Sequence, residues 1–222
     1  MIDEKLIPAL RDYRYLLDRD YPQKSTIKLV GDKYQLTGEE RSILYRGISS
    51  GRSAEIRNAK LSPVLQGENI YIDTYNILFT LANYLNGRPV FIADDGFLRD
   101  AGELRGRISK KKLLKQTVVL MEDFMANNRG HRYFLYLDQP VSNSGKLAAS
   151  INSFLSGKHI EGLARTCDSP DFNIIREAQE RDLVCTSDSV IIEKSKAPVY
   201  DLSRQLLTTR YQHEFVRLSD FL

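Results

Sequence analysis

Residues 70–87, IYIDTYNILFTLANYLNG, decide how the chain folds. Ile70-Tyr71-Ile72 is a short β-prone run that stops at Asp73. Behind it Ile77, Leu78, Leu81, Ala82 and Leu85 recur at helical spacing, and Asn86-Gly87 followed by Pro89 supplies the stop. A strand that ends in aspartate and passes directly into an apolar helix opens a βαβ unit. The same order recurs downstream. Val90–Ala93 ends at Asp94-Asp95, and Tyr133–Leu137 ends at Asp138, with a helix expected near 145–155. Ile160–Ala164 reads as a further strand. Ser169-Pro170-Asp171 has the form of a helix start, with Ser169 as cap and Pro170 in first position. Leu183–Thr186 is the last strand, running to Ser187-Asp188. This alternation predicts an α/β fold over residues 67–222, a Rossmann-like and mostly parallel sheet flanked by helices.

Upstream, residues 1–66 read as a helical N-terminal region. Leu6, Ala9, Leu10, Tyr13, Leu16 and Leu17 keep helical spacing, and Pro22 breaks it. Thr37-Gly38-Glu39-Glu40 has the capping-box form, with Ile43, Leu44 and Gly47 turned to a core. Residues 26–36 fit either a helix or a hairpin turning at Gly31-Asp32, and helix is the reading adopted. Gln66-Gly67-Glu68-Asn69 marks the boundary.

Composition excludes several chemistries. No apolar run in the 222 residues approaches the roughly 18 that a membrane helix needs, and Met1–Lys5 lacks a signal peptide's apolar core. Cys167 and Cys185 make neither a disulfide framework nor a metal cage, so a cytoplasmic protein is expected. With three histidines, none at i,i+4 from another, HExxH zinc chemistry is out. Chemistry must rest mostly on carboxylates, hydroxyls and basic groups.

The net charge of +3 is less informative than its distribution. Arg41, Arg46, Arg52, Arg57 and Lys60 stand against Glu55 alone. Arg99, Arg105, Arg107, Lys110, Lys111, Lys112 and Lys115 stand against Asp100 and Glu103. Between them, residues 61–98 are net acidic. An acidic centre flanked by basic segments suits a polyanion that needs metal at its reaction centre, although two solvated helix faces would look the same. Arg46, Arg52, Arg57, Arg99, Arg105, Lys110, Lys111 and Lys112 are the candidate nucleic-acid contacts.

In an open parallel sheet ligands bind at the carboxyl ends of the strands, so Asp73, Asp94, Asp95, Asp138 and Asp188 converge on one edge, with Asp171 beside them. Any one of these acids is most simply a turn or cap residue, and Asp171 would also offset a helix dipole. Together they are costly: two unit charges about 4 Å apart repel by roughly 4 kcal/mol at an effective dielectric of about 20. Either some protonate or a divalent cation binds. Oxygen ligands without Cys or His select Mg²⁺ or Mn²⁺, which activate water and stabilise a leaving oxygen in phosphodiester cleavage.

Ile72-Asp73-Thr74-Tyr75-Asn76 resembles the D-x-Y-N opening of NYN domains, within the PIN-like nuclease superfamily. Ser169–Ile175, the following strand and Thr186-Ser187-Asp188 are similar to the PIN pattern of an acid opening a helix before a strand ending in T-x-D. Leu44–Gly47, Arg52–Arg57, Asp94–Asp100 and Leu137–Gly145 also resemble an uncharacterised prokaryotic, archaeal-type family that joins a helical N-terminal region to a PIN-like domain. These resemblances imply a metal-dependent endoribonuclease acting through Asp73, Asp171 and Asp188, with Asn76 orienting the site and RNA as partner. The middle metal ligand is left among Asp94, Asp95 and Asp138. Many PIN-like domains are inactive scaffolds, so a non-catalytic RNA- or nucleotide-binding protein is the alternative. A haloacid-dehalogenase-type phosphatase is disfavoured, because Thr74-Tyr75 follows Asp73 where D-x-D is required. Ser144-Gly145-Lys146 does not complete a Walker A loop, although Ser142 and Ser144 open a helix whose free amides suit a phosphate. The residues leave self-association into a homo-oligomer open.

Overall fold

A computed structural model of the chain describes residues 4–102 and 111–222. Arg105 and Lys110 lie outside the described residues, as does the side chain of Lys111. Four helices come first: α1 (Leu6–Leu17), α2 (Gln23–Lys33), α3 (Gly38–Gly47) and α4 (Gly51–Asn58). The capping box at the start of α3 forms in full: Thr37 accepts from the Glu40 amide and Glu40 accepts from the Thr37 amide. Residues 26–36 are helical through Lys33, so the hairpin alternative falls.

The alternating region forms β1 (Leu61–Ser62), β2 (Asn69–Asp73), α5 (Thr74–Leu85), β3 (Val90–Ile92), β4 (Leu98–Asp100) and α6 (Lys111–Asn127). It continues with β5 (Arg132–Asp138), α7 (Ser144–Gly157), β6 (Gly162–Cys167), α8 (Pro170–Glu177), β7 (Leu183–Cys185), α9 (Ser189–Lys194), β8 (Val199–Tyr200) and α10 (Leu202–Tyr211). Six strands make one wholly parallel sheet in the order β1-β8-β7-β2-β5-β6. The fold is α/β, a Rossmann-like sheet flanked by helices and preceded by a helical region.

Period-two alternation along the central strands builds two cores. Ile70, Ile72, Leu135 and Cys185 face α5, α6, α7 and α10, while Tyr71, Tyr136 and Val184 face α8 and α9. The chain moves outward from β2 through β5 to β6, then returns to β7 on the other side of β2. The order therefore reverses between β2 and β7, and the crevice beyond their carboxyl ends is where such sheets take ligands.

One expected sheet strand goes elsewhere. Val90–Ile92 pairs antiparallel with Leu98–Asp100 as a separate hairpin, turning through Gly96 at φ +87°. Its alternate residues serve two cores: Val90 and Ile92 join the sheet's, whereas Phe91 and Ala93 join that of α1–α3. The hairpin is thus the shared wall between the N-terminal region and the sheet. α3 lies so close to it that a Cβ on Gly47 would stand 2.7 Å from the Phe91 ring and 2.3 Å from Leu218.

A candidate acidic site at the carboxyl edge of the sheet

Asp73 ends β2 and starts α5, yet its side chain does not cap that helix. It is 6% exposed, and its Oδ2 accepts a hydrogen bond from Thr186 Oγ1 at 2.9 Å. Thr186 follows β7, and its hydroxyl oxygen also accepts from the Asp188 amide at 3.0 Å. One threonine thereby ties together the two strand ends flanking the switch point. Asp188 caps α9, with Oδ1 accepting from the amides of Val190 and Ile191. Ser169 caps α8 through the Phe172 amide and Pro170 takes the first position, which sets Asp171 in the first turn. Asp138 closes β5.

Electrostatics join these four carboxyls. Burial pushes Asp73 up to about 8; the Thr186 hydrogen bond opposes that, and the charges of Asp171, Asp188 and Asp138 reinforce it. Burial, then Asp188 and Asp138, raise Asp171 above the usual carboxylate range. Burial also raises Asp138. A divalent cation would relieve all three, and an all-oxygen donor set is the kind that Mg²⁺ or Mn²⁺ takes. Among the described residues, no three acid, histidine or cysteine side chains converge as a ready-made metal cage. Binding at this edge would therefore require the carboxylates to draw closer together than they stand.

Asn76 lies one turn into α5. Its Oδ1 accepts from both the amide and the hydroxyl of Ser187, at 2.8 and 3.0 Å, so it neither caps the helix nor faces an open site with that atom. From the other side, Arg99 Nε donates to the Ser187 carbonyl at 3.1 Å. Ser187 is thus clamped between α5 and the hairpin, a link with no local signature in the sequence.

Asp94 and Asp95 do not join the acidic edge. Their strand is not in the main sheet, and arginines occupy their carboxylates. Asp94 accepts from the Ser49 amide at 2.7 Å and from Arg14 at 3.0 Å, and burial pushes its carboxyl up to about 6. Asp95, fully buried, is held by both terminal nitrogens of Arg99 at 2.8 and 2.7 Å and by Arg57 at 3.2 Å. The same contacts correct the basic set. Arg99 is 5% exposed, Arg57 also pairs with Glu193, and Arg46 pairs with buried Asp100 at 2.9 Å. Arg52 and Lys112 are exposed, with no ion pair among the described residues. At α7, Asn143 rather than a serine occupies the cap position, in a left-handed conformation. Ser144 is buried and its hydroxyl donates to the Gln139 carbonyl, while Ser142 is exposed. The phosphate assignment therefore loses Ser144.

Residues 63–205 match the family described as "Domain of unknown function (DUF5616)". The chain belongs to the DUF5616 family. The DUF5616 segment carries five of the six strands of the sheet, the hairpin and the four aspartates Asp73, Asp138, Asp171 and Asp188. Residues 5–60 separately match "Protein of unknown function (DUF434)", which spans α1–α4. The chain is also similar to the uncharacterized protein MJ0935 of Methanocaldococcus jannaschii, at 28% identity over 187 residues, covering 83% of this chain and 88% of that protein. No solved structure matches it. Among the described residues, no helix is long and apolar enough to cross a membrane.

Proposed function

We propose that this protein is a metal-dependent ribonuclease, hydrolysing RNA phosphodiester bonds at the edge formed by Asp73, Asp138, Asp171 and Asp188. The observation that carries the proposal is the mutual field of four carboxyls from four separate segments, at the point where the strand order reverses. Structural aspartates generally find a cation or a cap, as Asp94 and Asp95 do. Asp73 instead has one hydroxyl and three like charges. In this reading the four acids hold Mg²⁺ or Mn²⁺, which when bound supplies a water activated at neutral pH. Thr186 fixes the orientation of the Asp73 carboxyl, and Asn76 with Arg99 holds the Ser187 loop beside Asp188. Of the basic residues named from the sequence, Arg52 and Lys112 are exposed without an ion pair among the described residues and are available to the RNA backbone. The perturbed acids in a crevice support the reading on general physical grounds.

The second reading is a non-catalytic RNA- or nucleotide-binding protein on the same scaffold. One observation favours it: with its carboxyl up to about 8 and already bonded to Thr186, Asp73 is stable as a neutral group without any ion. Incubating the purified protein with a labelled RNA and Mn²⁺ separates the two. Cleavage abolished by Asp73→Asn supports the nuclease; RNA binding with no Mn²⁺-dependent cleavage and no calorimetric Mn²⁺ uptake supports the scaffold.

A further inference from the structure

A cleft of about 690 Å³ lies between α2–α3 of the N-terminal region and α5 of the sheet domain. Its walls carry Lys24, Arg41, Tyr45 and Arg46 on one side and Asn76 and Phe79 on the other. Asn76 belongs to both places, so the cleft begins one helical turn from Asp73. Its size falls within the range of small-ligand pockets, roughly 300–1,000 Å³, which suits an unpaired nucleotide and not a duplex.

The lining matches that occupant. The Tyr45 ring is 42% exposed, and the Phe79 ring is held in place by stacking on Tyr75 at 5.5 Å between centroids. Exposed and braced aromatic faces are what stack on unpaired bases. Arg41 and Arg46 are each partly offset by an acid, Asp32 and Asp100, whereas Lys24 has no ion pair among the described residues. The floor is formed by Asn83, whose amide nitrogen donates to Asp100 at 2.6 Å and whose buried Oδ1 has no partner among the described residues. Gly102 stands over that oxygen, and a Cβ there would come within 2.2 Å of it.

We propose that this cleft binds one unpaired nucleotide of an RNA strand, base against Tyr45 and Phe79 and phosphate toward Lys24, so that the N-terminal helices deliver the strand to the acidic edge. The inference rests on the reading of that edge as an RNA site, and it assigns the N-terminal region to substrate capture.

The test uses full-length protein in the Asp73→Asn background, so that no strand is cut, and a fluorescein-labelled oligouridylate read by polarisation. Tyr45→Ala should weaken binding at least fivefold, about 1 kcal/mol, while Tyr45→Phe retains the ring and keeps the affinity. Lys24→Glu should weaken binding and reduce the salt slope by about 0.7. Lys158→Glu, the same charge change at the C-cap of α7 and outside the cleft, should do neither. Weakened binding at Tyr45 and Lys24 supports the cleft even if the unmutated protein cuts no RNA. Unchanged binding in those variants overturns it even if the unmutated protein does cut, and so does equal weakening by Lys158→Glu.

Discussion

Asp73→Asn should stabilise the metal-free protein, and by an amount that grows with pH. The carboxyl is raised from its ordinary value of 3.8 to about 8 because burial disfavours its charged form. The folded state therefore holds a proton that the unfolded chain has already released. Its contribution is fully present below about pH 4 and is lost as pH rises through about 8. Four pH units at about 1.4 kcal/mol each set a ceiling near 5–6 kcal/mol. An effective dielectric nearer 20 than 4 brings the expected share down to a few kcal/mol. Asparagine has the same shape, keeps an oxygen for the Thr186 hydroxyl, and carries no charge at any of these pH values. At pH 3.5 the two proteins should melt together. At pH 8.5 the variant should melt higher by roughly 4–8 °C, taking about 2 kcal/mol and about 2–4 °C per kcal/mol for a chain of this size. The assay is thermal unfolding in chelator across pH 3.5–9. Adding Mn²⁺ at pH 8.5 should close the gap, by stabilising the unmutated protein alone. A variant that melts lower by the same margin at every pH would refute the reasoning, because Asp73 would then be an ordinary structural carboxylate.

Other substitutions probe the supporting structure. Asp95→Ala leaves Arg99 buried without its bidentate partner and should cost about 3–5 kcal/mol in denaturant unfolding; a loss under 1 kcal/mol would mean that Arg99 finds water instead. Asn76→Ala removes the acceptor from two Ser187 donors, and cleavage should fall more than tenfold, over about 1.4 kcal/mol of barrier, with much less change in calorimetric Mn²⁺ affinity than Asp73→Asn causes. A variant that melts early but cuts at the normal rate would assign Asn76 to stability alone. Replacing Arg52 and Lys112 together by alanine should lower the salt slope of single-stranded RNA binding by about 1.4, and an unaltered slope would make them a solvated face.

Local chemistry was legible in the chain because each signal lies within a few residues of what it controls. The Thr37–Glu40 capping box, the Ser169-Pro170 helix start and the strand ends at Asp73 and Asp138 all form where the sequence marks them. The strands β1 and β8, two residues each, are too short to carry a period and exist only through parallel pairing with each other and with β7. Charge patterning misled for a related reason. Arg46 and Arg57 read as a basic surface, but the acids that neutralise them lie 54 and 38 residues away, and Arg99 turns back onto Asp95 four residues before it because the hairpin buries both. The hairpin that carries those acids left the main sheet because its alternate residues satisfy two cores at once, a choice that depends on where α1–α3 pack. What the residues alone determined was an α/β chain with aspartates at its strand ends. Which aspartates face one another, which arginines are spent on buried acids, and that Thr186 and Ser187 bind Asp73 and Asn76 from more than 100 residues away, follow only from the order of strands in the sheet.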